Sequence, residues 1–326
     1  MRLIGKPLHT FPDALNEADL QQRALTESRL LAIALMCAAS FLFAFLDTSA
    51  KYLGTVGHVP VVEIIWVRFV TNGLFILAMI GPRAAVRALP SKKRANQLLR
   101  SGFLGATTVF NFLALQYLQL DQVSTLNFLA PFIVAGLAGP LLGEWVGWHR
   151  LLAICVGFSG VLFVTRPGFG GIHWAFSLAL CSALSNALYL LSTRYLARFD
   201  DARTTLVYTP LAGIVFAAPF ALANWQTPVN PWIFFLLLCT GVLGGFGHWL
   251  VILANERAPA PVIAPFGYVH LLFMTTLGFV IFGSAPSWWT LAGAAIIVSS
   301  GVYLLFRERQ TPGADGPASS ATVVEG

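Results

Sequence analysis

The stretch FLFAFLDTSAKYL, Phe41 to Leu53, places an aspartate and a lysine in a run otherwise built for hydrocarbon. An ionised side chain at membrane depth costs roughly 2.5 kcal/mol or more unless it is paired or faces a polar cavity. What surrounds Asp47 and Lys51 therefore decides what the run is for. The rest of the chain specifies the medium: of 326 residues 57% are hydrophobic and 10% charged, with a mean hydropathy of +0.74. A soluble domain carries about 25% charged residues.

Ten apolar runs are long enough to span a bilayer, which takes about 20 residues as a helix: 30–53, 60–80, 97–118, 122–142, 148–165, 172–194, 204–224, 231–253, 260–283 and 287–306. Short turns such as GHVP, TRPGFGG, TPVNP and GSAPS join them, so neighbours run antiparallel. Lys and Arg concentrate on cytoplasmic loops. With the N-terminus inside, seventeen of the twenty fall inward, Lys51 and Arg166 fall outward, and Arg68 lies within a span. The reading is a multi-pass protein of the cell inner membrane with both termini cytoplasmic. The excess of +6 sets orientation rather than nucleic-acid binding, since no basic stripe interleaves with exposed aromatics; membrane lipid is the expected macromolecular partner, and a homodimer is left open. Residues 1–29 lack the apolar core of a signal peptide and form a cytoplasmic arm, helical after Pro12-Asp13; residues 308–326 read as a disordered tail.

The chain repeats itself. Sliding it by 143 positions aligns Ala32, Leu35, Ala44, Ser49, Tyr52 and Leu53 with Ala175, Leu178, Ala187, Ser192, Tyr195 and Leu196. The ends of the two halves also match, Gly143 with Gly283 and Trp148 with Trp288. Five is odd, so two similar five-span blocks, 30–166 and 172–307, have opposite orientations. The fold class is thus an all-α membrane protein of ten transmembrane helices in two inverted five-helix repeats, a plan that places a substrate site near the midplane.

The residues Ala264-Pro265-Phe266, Tyr268, Phe282-Gly283, Pro286, Trp289-Thr290-Leu291 and Gly293-Ala294-Ala295 resemble the C-terminal signature of EamA-type carriers of the drug/metabolite transporter (DMT) superfamily. LDTSAKYL with Arg68, the APF at 130–132 and LLGEWVGW at 142–148 resemble the first half. The resemblance implies a ten-helix carrier whose cavity is lined by the first four helices of each repeat, the fifth being peripheral. It also implies small-metabolite transport, with amino-acid exporters, nucleoside-type carriers and S-adenosylmethionine uptake carriers among the similar proteins. Ser284 departs from the acid usual opposite Glu144.

Several polar residues in the spans are candidates for substrate binding or coupling. Asp47 lies about six residues, roughly 9 Å, below the outer end of its span, and Arg68 is at similar depth on the next. Cross-helix pairs Asp47–Arg68 and Lys51–Glu63 account for four costly charges; an Asp47–Lys51 pair along one helix face is the other arrangement. Such pairs either staple helices or exchange partners with substrate or proton. His270, after Tyr268, Gly267 and Pro265, sits near the midplane where a broken helix lines a cavity, either proton-coupled or as a neutral histidine bonded to a neighbour. Asn111, Asn127 and Asn186 lie at mid-depth, with Tyr189 one turn from Asn186; each binds a polar ligand or glues helices. The glycines around His248 allow close helix packing. Trp66 reads as cavity lining or interfacial belt, and Trp145, Trp148, Trp225, Trp232, Trp288 and Trp289 read as the belt.

These groups suit a secondary active transporter of a small polar organic metabolite, an amino acid or related zwitterion such as S-adenosylmethionine, working by alternating access with protons as the coupling ion. No phosphate-binding loop, HExxH or GxSxG motif is present, and the four cysteines form no CxxC pair, so the reading is not an enzyme and needs no cofactor. The alternatives are a membrane enzyme, a bis-histidine haem electron carrier using His248 and His270, whose depths differ by roughly 7 Å, a channel, and an exporter of lipophilic drugs or cations.

Overall fold

The computed structural model describes residues 11–142, 148–165, 173–258 and 263–310. Glu144, Trp145, the loop at Arg166 and the tail beyond residue 310 lie outside them. The described chain is helical, without strands: α1 Phe11–Thr55, α2 Val61–Ile80, α3 Pro82–Arg87, α4 Arg94–Tyr117, α5 Leu120–Asn127, α6 Ala130–Leu142, α7 Trp148–Thr165, α8 Ala175–Leu196, α9 Ala202–Tyr208, α10 Leu211–Ala223, α11 Pro231–Arg257, a 3₁₀ turn Ala264–Tyr268, α12 Val269–Phe282 and α13 Trp288–Gln310.

Seven described segments are long and apolar enough to cross a membrane: Thr26–Thr55, Val61–Ile80, Arg94–Tyr117, Leu120–Leu137, Ala175–Leu196, Ala202–Ala223 and Pro231–Arg257. Leu151–Thr165, Phe266–Phe282 and Trp288–Tyr303 are apolar but shorter. The expected boundary between a cytoplasmic arm and a first span does not appear as a break. No Pro or Gly interrupts residues 13–53, so the polar arm and the apolar run share one 45-residue helix, which ends where Gly54, Gly57 and Pro60 stop it.

Two runs expected as single helices are broken. The fourth divides at Phe128-Leu129 and the seventh at Thr209-Pro210. Proline supplies no backbone N–H and its ring clashes with the carbonyl four residues before it; Pro131 and Pro210 thereby deny the Asn127 and Leu206 carbonyls their helical donor at the two breaks. The ninth run breaks at Pro265 as the sequence predicts, through the 3₁₀ turn. Both Ala-Pro-Phe copies therefore sit at helix discontinuities. Gly283 closes α12 at φ 65°, with its N–H on Phe279 O and the Ser284 N–H on Gly278 O, a left-handed ending that favours glycine.

The largest buried cluster lies between the helices and includes Phe112, Leu115, Leu126, Leu129, Phe132 and Ile297. Helix contacts are made by small residues, as expected where hydrocarbon solvent removes the hydrophobic drive between helices. Gly160 of α7 and Gly293 of α13 let those two helices meet backbone to backbone, and Ser300 donates to Ala153 O at 2.7 Å. Along α11, Gly241 and Gly245 face α2 while Gly244 and Gly247 meet Leu46 and Phe43 of α1. A Cβ at Gly241 would collide with the Arg68 carbonyl and the Asn72 amide, backbone atoms that cannot swing aside. Overpacking of this kind costs about 1–3 kcal/mol or more. Gly241→Leu is expected to abolish most of the monodisperse protein seen by fluorescence-detected size exclusion; wild-type yield and melting temperature would mean that α2 and α11 stand further apart.

Candidate functional site

Two of the discontinuities and two continuous helices bring polar side chains together. Asn127 is the last residue of α5, and His270 is the second of α12, so each follows or precedes a break. Asn111 projects from α4 and Asp47 from α1. Asn111 Nδ2 donates to Asp47 Oδ1 at 3.0 Å, and Asn127 Nδ2 donates to Asn111 Oδ1 at 2.8 Å. Ser124 Oγ meets His270 Nδ1 at 3.1 Å, and His270 Nε2 lies 3.9 Å from Asp47 Oδ2. The site is screened rather than sealed: the Asp47 and His270 side chains are 15% and 19% exposed.

The chain of amides has a fixed direction. An ionised carboxylate only accepts, so Asn111 must turn its NH₂ toward Asp47 and its oxygen toward Asn127. That leaves Asn127 Oδ1 at the far end, buried and without a donor. An unpaired buried acceptor costs about 1–3 kcal/mol. Phe128 packs beside it on Tyr268, ring centroids 4.8 Å apart, and edge-on to His270 at 6.3 Å.

Arg68 corrects the expected ion pair. It donates Nη1 to Thr108 Oγ1 at 2.8 Å, lies against the Phe112 ring at 5.1 Å and the Phe69 ring at 5.7 Å, and makes no ion pair with Asp47 within 4.0 Å. The two charges still act on one another, but across a gap, because Asn111 holds the carboxylate and Thr108 the guanidinium. The Lys51–Glu63 pair does not form either. Lys51 Nζ donates to Leu115 O and Leu118 O at 2.7 and 2.6 Å. Glu63 instead accepts the Gln226 amide at 3.0 Å, tying α2 to the loop before α11, where Trp66 and Trp225 meet edge to face.

Tyr189, Asn186 and His248 stand apart from this network. Tyr189 belongs to a second cluster around Arg100, a residue that sequence reasoning counted only as a topology charge. Arg100 is 3% exposed. It donates Nη2 to Tyr189 Oη at 2.8 Å, Nε to Thr193 Oγ1 at 2.7 Å and Nη1 to Thr205 O and Thr209 Oγ1 at 3.3 and 3.2 Å. Its position deepest in the apolar run among the basic residues from 83 to 100 was the available signal. Asn186 has no hydrogen-bond partner among the described residues. His248 packs edge-on to Phe43 at 4.9 Å, and the charges acting on it are Arg68 and Arg100. Tyr268 presses its hydroxyl against Gly301 of α13.

At the same end of the bundle as Arg100, Asp200 holds the α3–α4 loop. It accepts from Ser91 Oγ, from the Lys92 amide at 3.0 Å and from Gln97 Nε2 at 2.9 Å. Slight burial works against its charge, but these hydrogen bonds and the Lys92 charge outweigh it and hold the carboxyl below its ordinary 3.8. A depressed folded value means stability that is present above pH 3.8 and is lost as pH falls through the folded value. Asp200→Asn is therefore expected to lower the melting temperature at pH 7 by a few degrees, with variant and wild type converging only well below pH 3.8. Equal melting at pH 7 would show that the latch contributes nothing.

Among the described residues no three His, Cys, Asp or Glu side chains gather as a metal site. An apolar crevice of about 420 Å³ between α2, α4 and α10, lined by Val61, Ile65, Phe69, Gly105, Phe216 and Phe220, offers no hydrogen-bonding group. Phe216 and Phe220 are more than half exposed, so it opens toward hydrocarbon rather than the polar network.

The sequence profile of the EamA-like transporter family matches residues 30–166 and again 173–307. A protein named riboflavin transporter from Vibrio cholerae is 27% identical over 82% of this chain and 91% of its own length. One of the same name from Brucella anthropi is 26% identical over 85% and 99%. An S-adenosylmethionine uptake transporter from Rickettsia prowazekii is 24% identical over 81% and 89%. A solved crystal structure aligns with a TM-score of 0.60 and 17% identity over 89% of this chain and 99% of that one, a likeness of fold alone.

Proposed function

Because this chain belongs to the EamA-like transporter family, we propose that it is a proton-coupled secondary carrier of a nitrogen heterocycle bearing a hydroxylated side chain. In this reading it crosses the inner membrane ten times as two inverted five-helix repeats, with both termini cytoplasmic, and alternates access around the Asp47 network. Riboflavin and S-adenosylmethionine, named for relatives of this chain, both fit that chemical class. The observation that carries it is the amide chain ending at Asn127 Oδ1. A ring N–H or a ribityl hydroxyl satisfies that acceptor, and the neighbouring Phe128 and Tyr268 rings offer a flat heterocycle its stacking faces.

The chain of amides also supplies the coupling. Protonated, Asp47 gains an O–H donor beside its remaining acceptor oxygen; with that O–H directed at Asn111, the amide turns its oxygen toward Asp47 and its NH₂ toward Asn127. Asn127 turns in response and presents NH₂ where it presented oxygen. One proton at Asp47 thereby changes what the far end asks of the substrate, and the two protonation states bind it unequally. Unequal binding is the requirement for a ligand to shift a conformational equilibrium.

A second reading rests on the unpaired opposite charges of Asp47 and Arg68: a zwitterion would set its ammonium on the one and its carboxylate on the other. Counterflow in proteoliposomes separates the two. Preloaded with riboflavin, S-adenosylmethionine or a mixture of amino acids, vesicles are tested for saturable entry of the labelled compound. Counterflow with the heterocycles is the expected result. Counterflow with amino acids alone selects the zwitterion reading, and none with any of the panel overturns the substrate class.

A further inference from the structure

The residue that opened the sequence problem beside Asp47 has gone to a site of its own. Lys51 lies one turn, about 6 Å, further along α1 than Asp47, and its ammonium enters the elbow between α4 and α5. The elbow releases main-chain oxygens. Leu115 O would accept the Gln119 amide if α4 continued, but that amide turns to Gln122 Oε1 at 3.1 Å as part of the capping box of α5. Leu118 is the C-cap of α4. Both carbonyls point to Lys51 Nζ, at 2.7 and 2.6 Å, at a helix end that carries partial negative charge.

Two further groups complete the surroundings. Asp121, in the first turn of α5, is 4% exposed; its Oδ2 is buried without a hydrogen-bond partner. It is the carboxylate that acts on Lys51, yet it makes no ion pair with it within 4.0 Å. The Phe282 ring faces the ammonium from α12, its centroid 5.5 Å away. Two carbonyl oxygens in contact with the ammonium, and a buried carboxylate oxygen further off without a partner, make the nearby donors hard oxygens, with an aromatic face beside them and no nitrogen or sulfur ligand among the described residues. Rings of backbone carbonyls are how proteins replace the hydration shell of K⁺.

We propose that the α4–α5 elbow is a monovalent-cation site in which the tethered ammonium of Lys51 takes the place of a free Na⁺ or K⁺. The wild-type chain then needs no dissolved metal ion there, and removal of the side chain uncovers a site for one. Lys51→Ala vacates the position and leaves every oxygen donor in place. Lys51→Met fills the same volume without charge and leaves the carbonyls unsatisfied.

The test is melting of the purified full chain, followed by tryptophan fluorescence in choline, Na⁺ and K⁺ chlorides of equal ionic strength. Wild type is expected to melt alike in all three. Lys51→Ala should melt lower in choline and recover saturably in Na⁺ or K⁺, by roughly 5 °C at about a hundred times the dissociation constant. Lys51→Met should melt low in every salt, and Asp121→Asn added to Lys51→Ala should remove the recovery. Equilibrium binding of radiolabelled Na⁺ and of the K⁺ analogue Rb⁺ provides a second readout, stoichiometric with the chain for at least one ion in Lys51→Ala and at background for both in wild type. The idea is overturned if Lys51→Ala shows no cation-specific recovery, if wild type responds equally, or if Lys51→Ala yields no folded protein in any salt. None of these measurements involves transport, so their failure leaves the carrier reading intact.

Discussion

Asp47→Asn is expected to insert and fold, to retain saturable counterflow, and to lose proton-driven accumulation of substrate. The amide is nearly isosteric with the acid and can still accept from Asn111 Nδ2, which now holds the carboxylate at 3.0 Å, so the helices keep their spacing. What disappears is the charge. A hydrogen bond to a charged group contributes about 1.5–3 kcal/mol, and each 1.4 kcal/mol is about tenfold in an equilibrium constant, so the affinity difference between high and low pH should collapse by roughly 10- to 100-fold. Arg68 then faces no opposing charge across the gap, and the variant should bind substrate with the same affinity from pH 5 to pH 8. Accumulation at wild-type level in Asp47→Asn would leave the aspartate as a helix staple and move coupling elsewhere, with His270, 3.9 Å away, the next residue to replace.

The membrane class and the helical order were legible in the sequence because hydropathy and turn residues report them directly. The breaks were legible only where a glycine accompanied the proline. Pro265 with Gly267 announced the 3₁₀ turn, whereas Pro131 in the unbroken apolar run at 122–142 did not, because hydropathy is blind to a missing N–H. Depth could be counted along each span, which set Asp47 level with Arg68, roughly 9 Å below the outer end, and Asn111, Asn127, Asn186 and His270 nearer the middle, and so did not single out the four that meet. The direction in which each side chain leaves its helix could not be counted, so the amide chain from Asn127 to Asp47 was invisible. Lys51 was misassigned for a different reason. Counting pairs charges with charges, and the carbonyls at the end of α4 carry no letter in the sequence. Arg100 was hidden by its company: among six basic residues before and at the start of α4 it read as one more topology signal, although it alone is buried at 3% exposure and bonded across to α8 and the α9–α10 region.

Asn111→Leu tests the relay itself, because it removes the one residue that touches both ends. Leucine fills the volume but can neither donate to Asp47 nor accept from Asn127, so both neighbours lose a partner at once; polar networks half satisfied in this way are worse than none. Two outcomes separate relay from scaffold. As a relay, Asn111→Leu should keep measurable counterflow at a reduced rate while the pH dependence of substrate affinity flattens, and Asp47→Asn added to it should change the pH profile no further. Such non-additivity is what a shared network predicts for residues in contact. As a scaffold, the variant should lose affinity equally at every pH, with the profile of the wild type preserved at a lower level and the Asp47→Asn effect still added in full. Ser124 supplies the control. It bonds His270 Nδ1 at 3.1 Å but hydrogen-bonds neither asparagine, so Ser124→Ala should leave the pH dependence of affinity in place. If Ser124→Ala flattens the profile and Asn111→Leu does not, the proton reaches the substrate through His270 and not through the amides.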